Sequence, residues 1–196
     1  MDHPTQEELK ILNDQRFLIV KQALSEKIIA QLAEIERKLH RIVNESSFDF
    51  PEGTFIRAGK ISRGENYRSL PYFILDYPRL FTKENVFAFR TMLWWGNEFS
   101  CTLHIAGNTL KALQNVLLER LKKEKQLFFC IQDNPWEYHF EKSNYVLIEE
   151  LSSASIENHI ETHGFIKISD KIPLDNWEEF ENFSLTTWKR FVKLLI

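Results

Sequence analysis

Two histidines and a glutamate lie within five residues of each other, as His159, Glu161 and His163. On a helix, a spacing of four residues places both imidazoles on one face, as a pair of metal ligands requires. On a strand, all three side chains would point the same way and would offer a set that suits non-haem iron. One hypothesis is therefore a metal-dependent enzyme, with Glu161, His104 or His139 completing the site. The alternative is an ordinary helix end exposed to solvent, because histidines near the C-terminus of a helix complement the helix dipole.

Arginines and aromatic residues alternate between residues 57 and 107. Guanidinium groups bind phosphate or carboxylate through paired hydrogen bonds, and aromatic rings stack on planar ligands. The pattern favours a binding or interaction protein without enzymatic activity, whose partner is a small anionic or planar ligand or an acidic protein. The predicted ligand-binding residues are Arg57, Arg63, Arg68, Arg79, Trp95 and His104. Whether the protein is an enzyme, and with which cofactor, stays open at this point.

The charge is distributed unevenly along the chain. Residues 57–90 hold seven basic and three acidic side chains, whereas residues 134–190 hold five basic and eleven acidic ones. The basic region and its aromatic residues suggest single-stranded nucleic acid as a third class of ligand. A net charge of −3 and a pI of about 6.1 disfavour it, because affinity for nucleic acid comes largely from neutralised phosphates.

Other catalytic signatures are missing or incomplete. Residues 53–62 resemble a phosphate-binding loop, but one residue too many separates Gly53 from Gly59, and Ile61 stands where a hydroxyl residue should follow the lysine. No G-x-S-x-G motif marks an activated serine. Cys101 and Cys130 lie in apolar segments, which favours reduced, buried thiols over nucleophiles.

Helices are predicted at both ends of the chain. Thr5 and Glu8 form a capping-box pattern, which predicts a short helix. An apolar stripe from residue 25 onward predicts a helix of about twenty residues, and residues 17–24 either extend it or form a separate helix. The stripe consists of Ile28, Leu32, Ile35, Leu39 and Ile42. Further helices are predicted over residues 108–121 and 153–163 and from residue 175 onward.

The centre of the chain carries short runs of aromatic and β-branched residues, which are typical of strands. The predicted strands are residues 54–62, 70–77, 86–95, 98–106, 127–132, 145–149 and 165–169. Gly96 and Asn97 predict a hairpin with a two-residue loop, in which Trp95 pairs with Glu98. In that register Trp95 shares a face with His104, and the two would line a ligand pocket.

These elements predict an α+β protein with a mainly antiparallel sheet of about five or six strands, flanked by N-terminal and C-terminal helices. We expect one domain over residues 1–196, with a helical lead-in (1–50), a sheet-rich centre with one helix (54–150) and a helical tail with one strand (151–196). The chain shows no apolar signal segment, and its longest uncharged run, residues 99–110, is too short to cross a bilayer. The expectation is a cytoplasmic protein without a membrane partner, of open oligomeric state.

Overall fold

The computed structural model describes residues 3–196, and the domain prediction for the first two residues lies outside this range. The helices are α1 (Gln6–Asn13), α2 (Gln15–Asn44), α3 (Asn108–Leu121), α4 (Ser153–His163) and α5 (Phe180–Lys193). The strands are β1 (Lys60–Tyr67), β2 (Leu70–Phe81), β3 (Asn85–Trp94), β4 (Glu98–Gly107), β5 (Phe128–Cys130), β6 (Tyr145–Leu147) and β7 (Phe165–Pro173). Among the helices of residues 3–196, none is both long and apolar enough to span a membrane.

The N-terminal helices begin at the residues that cap them. Thr5 and Glu8 form the predicted capping box, since the Glu8 N–H donates to Thr5 Oγ1 at 3.2 Å and the Thr5 N–H donates to Glu8 Oε2 at 2.6 Å. Asp14 Oδ1 accepts from the Phe17 N–H at 2.9 Å and starts α2. Residues 17–24 therefore extend the long helix backwards, which the periodicity of the sequence left undecided.

All seven strands form one sheet in the order β1-β2-β3-β4-β7-β5-β6, and every neighbouring pair is antiparallel. The α+β class and the antiparallel sheet are confirmed, with seven strands instead of five or six. The first strand begins at Lys60, and the predicted start at residue 54 is wrong. Before Lys60, the chain makes only an isolated bridge between Phe55 and Arg79.

One face of the sheet carries the main hydrophobic core. The buried stripe of α2, including Leu32 and Leu39, joins the apolar side chains of the central strands in a single cluster. Phe99 of β4 stacks on Phe180 of α5 with 3.9 Å between ring centroids. Burying each such side chain contributes roughly 1.5–3 kcal/mol, so the helices fix this face of the sheet firmly.

The hairpin between β3 and β4 differs from its prediction by one residue. Leu93 pairs with Phe99, and the loop holds three residues because Gly96, at φ 71°, is the third residue of a β-turn. The Asn97 N–H closes this turn on the Trp94 carbonyl at 3.1 Å. A shift of one residue moves every side chain to the other face. Trp95 and His104 consequently do not share a face, and the polar residues of β4 lie opposite the helices.

Candidate ligand site

The sheet face away from the helices carries a line of side chains across six strands, five of which contribute a polar residue. Arg79, Ala88, His104 and Lys167 are direct partners along β2, β3, β4 and β7. On the far side of β7, the register of β5 places Cys130 opposite Lys167, and Cys130 pairs with Tyr145 of β6. Direct cross-strand partners share a face. We call Arg79, His104, Lys167, Cys130 and Tyr145 the polar row.

A second line of polar residues runs beside the polar row. Arg90 donates from Nε and Nη2 to the two carboxylate oxygens of Asp76, at 2.7 and 2.9 Å. Thr102 and Ser169 share a hydrogen bond of 2.8 Å between their hydroxyls. Asp76, Thr102 and Ser169 are buried. The hydrogen-bonding groups of this second line pair with one another. They therefore support the polar row and are not free to bind a ligand.

Residues 131–144, the covering segment, lie over this polar face. The Tyr138 ring contacts Arg90 and Lys167, each with 4.7 Å between the cation and the ring centroid. Trp136 packs against His104 with 5.3 Å between ring centroids, yet its own side chain is half exposed. Four residues of the polar row are therefore closed from solvent beneath the covering segment, whereas Arg79 is partly exposed.

Tyr67 fixes the covering segment to the sheet. Its hydroxyl accepts from the N–H groups of Tyr138 and His139, at 2.7 and 3.0 Å, and donates to Glu137 Oε2 at 2.9 Å. Arg68 also forms an exposed ion pair of 2.6 Å with Glu141 of the covering segment, which we call the rim pair. This rim pair joins the basic central region of the sequence to its acidic later region.

Lys167 is the most unusual residue of the polar row, because its side chain is fully buried. Its ammonium group donates to the backbone carbonyls of Pro135, at 3.0 Å, and Glu137, and within residues 3–196 it forms no ion pair with a carboxylate. Burial lowers the pKa of Lys167 to about 8, against an opposing contribution from Cys130. A buried cation without a counter-ion is expensive, and such residues concentrate at functional sites.

His104 is also buried, and neither of its ring nitrogens has a hydrogen-bond partner in the described part of the chain. Burial, together with the positive charges of Lys167 and Arg90, lowers the pKa of His104 to about 3. The imidazole is therefore neutral at physiological pH. Buried polar groups are nearly always paired, so an unpaired imidazole beside a buried cation marks a candidate site.

Cys130 lies beside Lys167 on the neighbouring strand β5. It is a free and buried thiol, as is Cys101. The prediction of two unbridged, buried cysteines is confirmed. Burial raises the pKa of the Cys130 thiol and raises that of Cys101 to about 12. Both residues remain protonated near neutral pH, which gives neither of them the thiolate that a nucleophile needs.

The polar row thus brings an amine, an imidazole, a thiol and a phenol onto one covered surface. No family model, curated protein or solved structure matches this chain. Within the row, ammonium, guanidinium and imidazole groups can bind the oxygens of an anion. The rings of Trp136 and Tyr138 can stack on a planar ligand, so the surface combines a few placed polar groups with aromatic walls.

The structure brings together only two of the six predicted ligand-binding residues, Arg79 and His104. Arg57 and Arg63 are exposed, on the chain leading to β1 and on β1 itself. Arg68 lies on the rim with Glu141. Trp95 lies on the helix side of the sheet, where it lines an apolar cavity of about 160 Å³. The single basic and aromatic surface that the sequence suggested is therefore divided over several places.

Only two of the three predicted metal-binding residues, His159 and His163, lie close together. His159 is buried on α4 and packs against Phe165 at 4.8 Å, whereas Glu161 and His163 are exposed. The His159 and His163 rings lie 4.7 Å apart, but the helix turns Glu161 about 200° away from His159. Among residues 3–196, no three His, Cys, Asp or Glu side chains form a group that could hold a metal ion.

Sequence reasoning missed Lys167, although a signal for it exists. In β7, Lys167 and Ser169 alternate with Ile166 and Ile168. Because side chains of a strand alternate between its faces, two buried isoleucines force the lysine onto the opposite face. Its neighbour Cys130 comes from a strand 37 positions earlier in the numbering, and local spacing carries no information about that pairing.

Proposed function

We propose that the protein binds a small, planar, anionic ligand on the polar row, beneath the covering segment, without catalysing a reaction. The observation that carries the proposal is Lys167, a fully buried ammonium group that donates to two backbone carbonyls of residues 131–144 and forms no ion pair with a carboxylate of residues 3–196. A ligand carboxylate or phosphate would supply the paired counter-charge that residues 3–196 do not provide.

The binding mode follows from the contacts of Lys167. Its bonds to Pro135 and Glu137 hold the covering segment down, so an anion that takes these bonds releases the segment from the lysine. His104 and Arg79 lie along the same line and can contact the far oxygens of the ligand. The proposal requires the covering segment to move, because Lys167 and His104 are buried in the structure.

The other function classes have less support. A metal-dependent enzyme would need a third ligand beside His159 and His163, but α4 turns Glu161 away from them, and residues 3–196 hold no group of three His, Cys, Asp or Glu side chains that could bind a metal ion. Single-stranded nucleic acid would need an open basic groove, whereas Trp136 and Tyr138 of the covering segment pack onto the basic residues of this face. We place the protein in a reducing compartment, the cytoplasm, because both thiols are unbridged.

Calorimetric titration with benzoate, 2-naphthoate and indole-3-acetate tests the proposal. We expect saturable binding of at least one of these planar carboxylates. The substitution Lys167→Met keeps the length of the side chain and removes the charge, and it should weaken that binding at least about tenfold, since a charge-assisted hydrogen bond contributes about 1.5–3 kcal/mol.

Lys60→Met is the matched control, because Lys60 is exposed on β1 and lies outside the polar row. We expect its affinity to equal that of the wild type. Equal affinity of Lys167→Met and the wild type, or no binding by any of the three carboxylates, would contradict the proposed site.

A further inference from the structure

The N-terminal arm, residues 6–20, exposes large apolar side chains that the ligand site does not use. It comprises α1 and the first turns of α2. Six large apolar side chains lie in solvent there, with Ile19 and Leu12 exposed by 68% and 67%. The full set is Ile11, Leu12, Phe17, Leu18, Ile19 and Val20.

Helix α1 has no buried residue and only eight residues. An isolated helix of that length is marginal in water, so the stability of α1 depends on a surface that covers it. In α2, four consecutive apolar residues, 17–20, point in all directions around the helix because successive side chains are 100° apart. One flat surface cannot cover all four, whereas a pair of helices can.

We propose that a second copy of this chain covers the N-terminal arm, and that the protein is a two-fold symmetric dimer. The six side chains leave roughly 600 Å² of apolar area in solvent, at the upper end for the largest patch of a monomer. Two arms together offer roughly 1,200 Å², which reaches the size of a stable, specific interface. A second copy also brings two helices, α1 and α2, to each arm.

The charged residues of one N-terminal arm are complementary to those of a second, antiparallel arm. Glu7 and Glu8 lie near its start, and Lys10 and Arg16 lie further along. In a two-fold interface with antiparallel arms, the acidic start of one copy lies beside the basic part of the other. An anionic lipid surface would instead require a polybasic helix, and residues 3–20 carry three acidic against two basic side chains.

An apolar cavity continues this surface. Leu24 follows Val20 by one helical turn and lines the cavity of about 160 Å³ beside Trp95 and Trp177. Aromatic-lined pockets next to an apolar surface are where partner side chains anchor. The apolar side chain of Leu12 or Ile11 of the second copy can fill this cavity.

Sedimentation equilibrium of the full chain at about 100 µM tests the dimer, since the mass of an associating protein depends on its concentration. We expect twice the chain mass of 23.4 kDa for the wild type. Ile19→Glu should give the single-chain mass at the same concentration, with an unchanged circular dichroism spectrum, because Ile19 makes no buried contact. Val116→Glu, at an exposed apolar residue of α3, is the control and should stay dimeric.

A single-chain mass for the wild type would overturn the proposal, and so would a dimer that persists in Ile19→Glu. A single-chain wild type that sediments with vesicles of mixed phosphatidylcholine and phosphatidylserine would assign the arm to a lipid surface. The ligand titration probes the polar row and not the N-terminal arm, so either proposal can fail without the other.

Discussion

His104→Phe is expected to make the protein more resistant to acid than the wild type. Burial holds the pKa of His104 at about 3 in the folded protein, against an ordinary value of about 6.5 in the unfolded chain. Between these two values the unfolded chain binds a proton that the folded protein does not, so the wild type loses stability as the pH falls from 6.5 towards 3. Phenylalanine removes this loss and keeps an aromatic ring between Trp136 and Phe165.

Urea unfolding at pH 7 and pH 4.5, followed by tryptophan fluorescence, measures this effect. The difference in free energy of unfolding between His104→Phe and the wild type should shift by about 2–3 kcal/mol in favour of the variant between the two pH values. His163→Phe, at an exposed ring on α4, is the control and should show no comparable shift. An unchanged difference at the two pH values would mean that His104 does not titrate as a buried neutral group.

Asp76→Ala is expected to destabilise the fold by about 3–5 kcal/mol, because it leaves the guanidinium of Arg90 buried without its counter-ion. The Asp76 and Arg90 side chains are 7% and 14% exposed, and their two hydrogen bonds measure 2.7 and 2.9 Å. Adding Arg90→Met should recover most of the loss, since an apolar pair no longer buries a charge.

Denaturant unfolding of the wild type, both single variants and the double variant gives the coupling between the two residues. Glu141→Ala breaks the exposed Arg68–Glu141 pair on the rim and is the matched control. We expect a far smaller loss from it, because exposed ion pairs contribute little. A double variant no more stable than Asp76→Ala would contradict the view that the cost lies in the unpaired guanidinium.

Local patterns in the sequence were sufficient for most elements of the fold. The apolar stripe of α2 and the capping box of Thr5 are properties of neighbouring residues, and both are confirmed. The register of the β3–β4 hairpin was not predictable in the same way. Gly96 and Asn97 fit a two-residue loop and a three-residue loop alike, and only the packing of Phe99 on the helix side decides between them.

The candidate site depends on pairings between distant strands, which explains why the sequence predicted it only in part. His104 and Arg79 were predicted, but as members of a surface that also held Trp95. The row exists because β7 enters the sheet between β4 and β5, which places Lys167 between His104 and Cys130. No spacing along the chain encodes that insertion.

The metal hypothesis, by contrast, arose from short-range spacing in the sequence. His159, Glu161 and His163 are close in the sequence, and proximity along a helix brings together residues four apart but not residues two apart. Helix α4 ends at Gly164, with φ 71°, which leaves His163 in solvent. His159, one turn earlier, packs against Phe129 and Phe165.

The measurement that tests the proposed function most directly is a comparison of native and denatured masses for freshly purified, untagged wild type and Lys167→Met. We expect the native wild type to exceed the summed mass of its denatured chains by the mass of one small anion per chain, and Lys167→Met to lack this excess while remaining folded. An identical excess in both proteins, or none in either, would contradict a ligand site at Lys167.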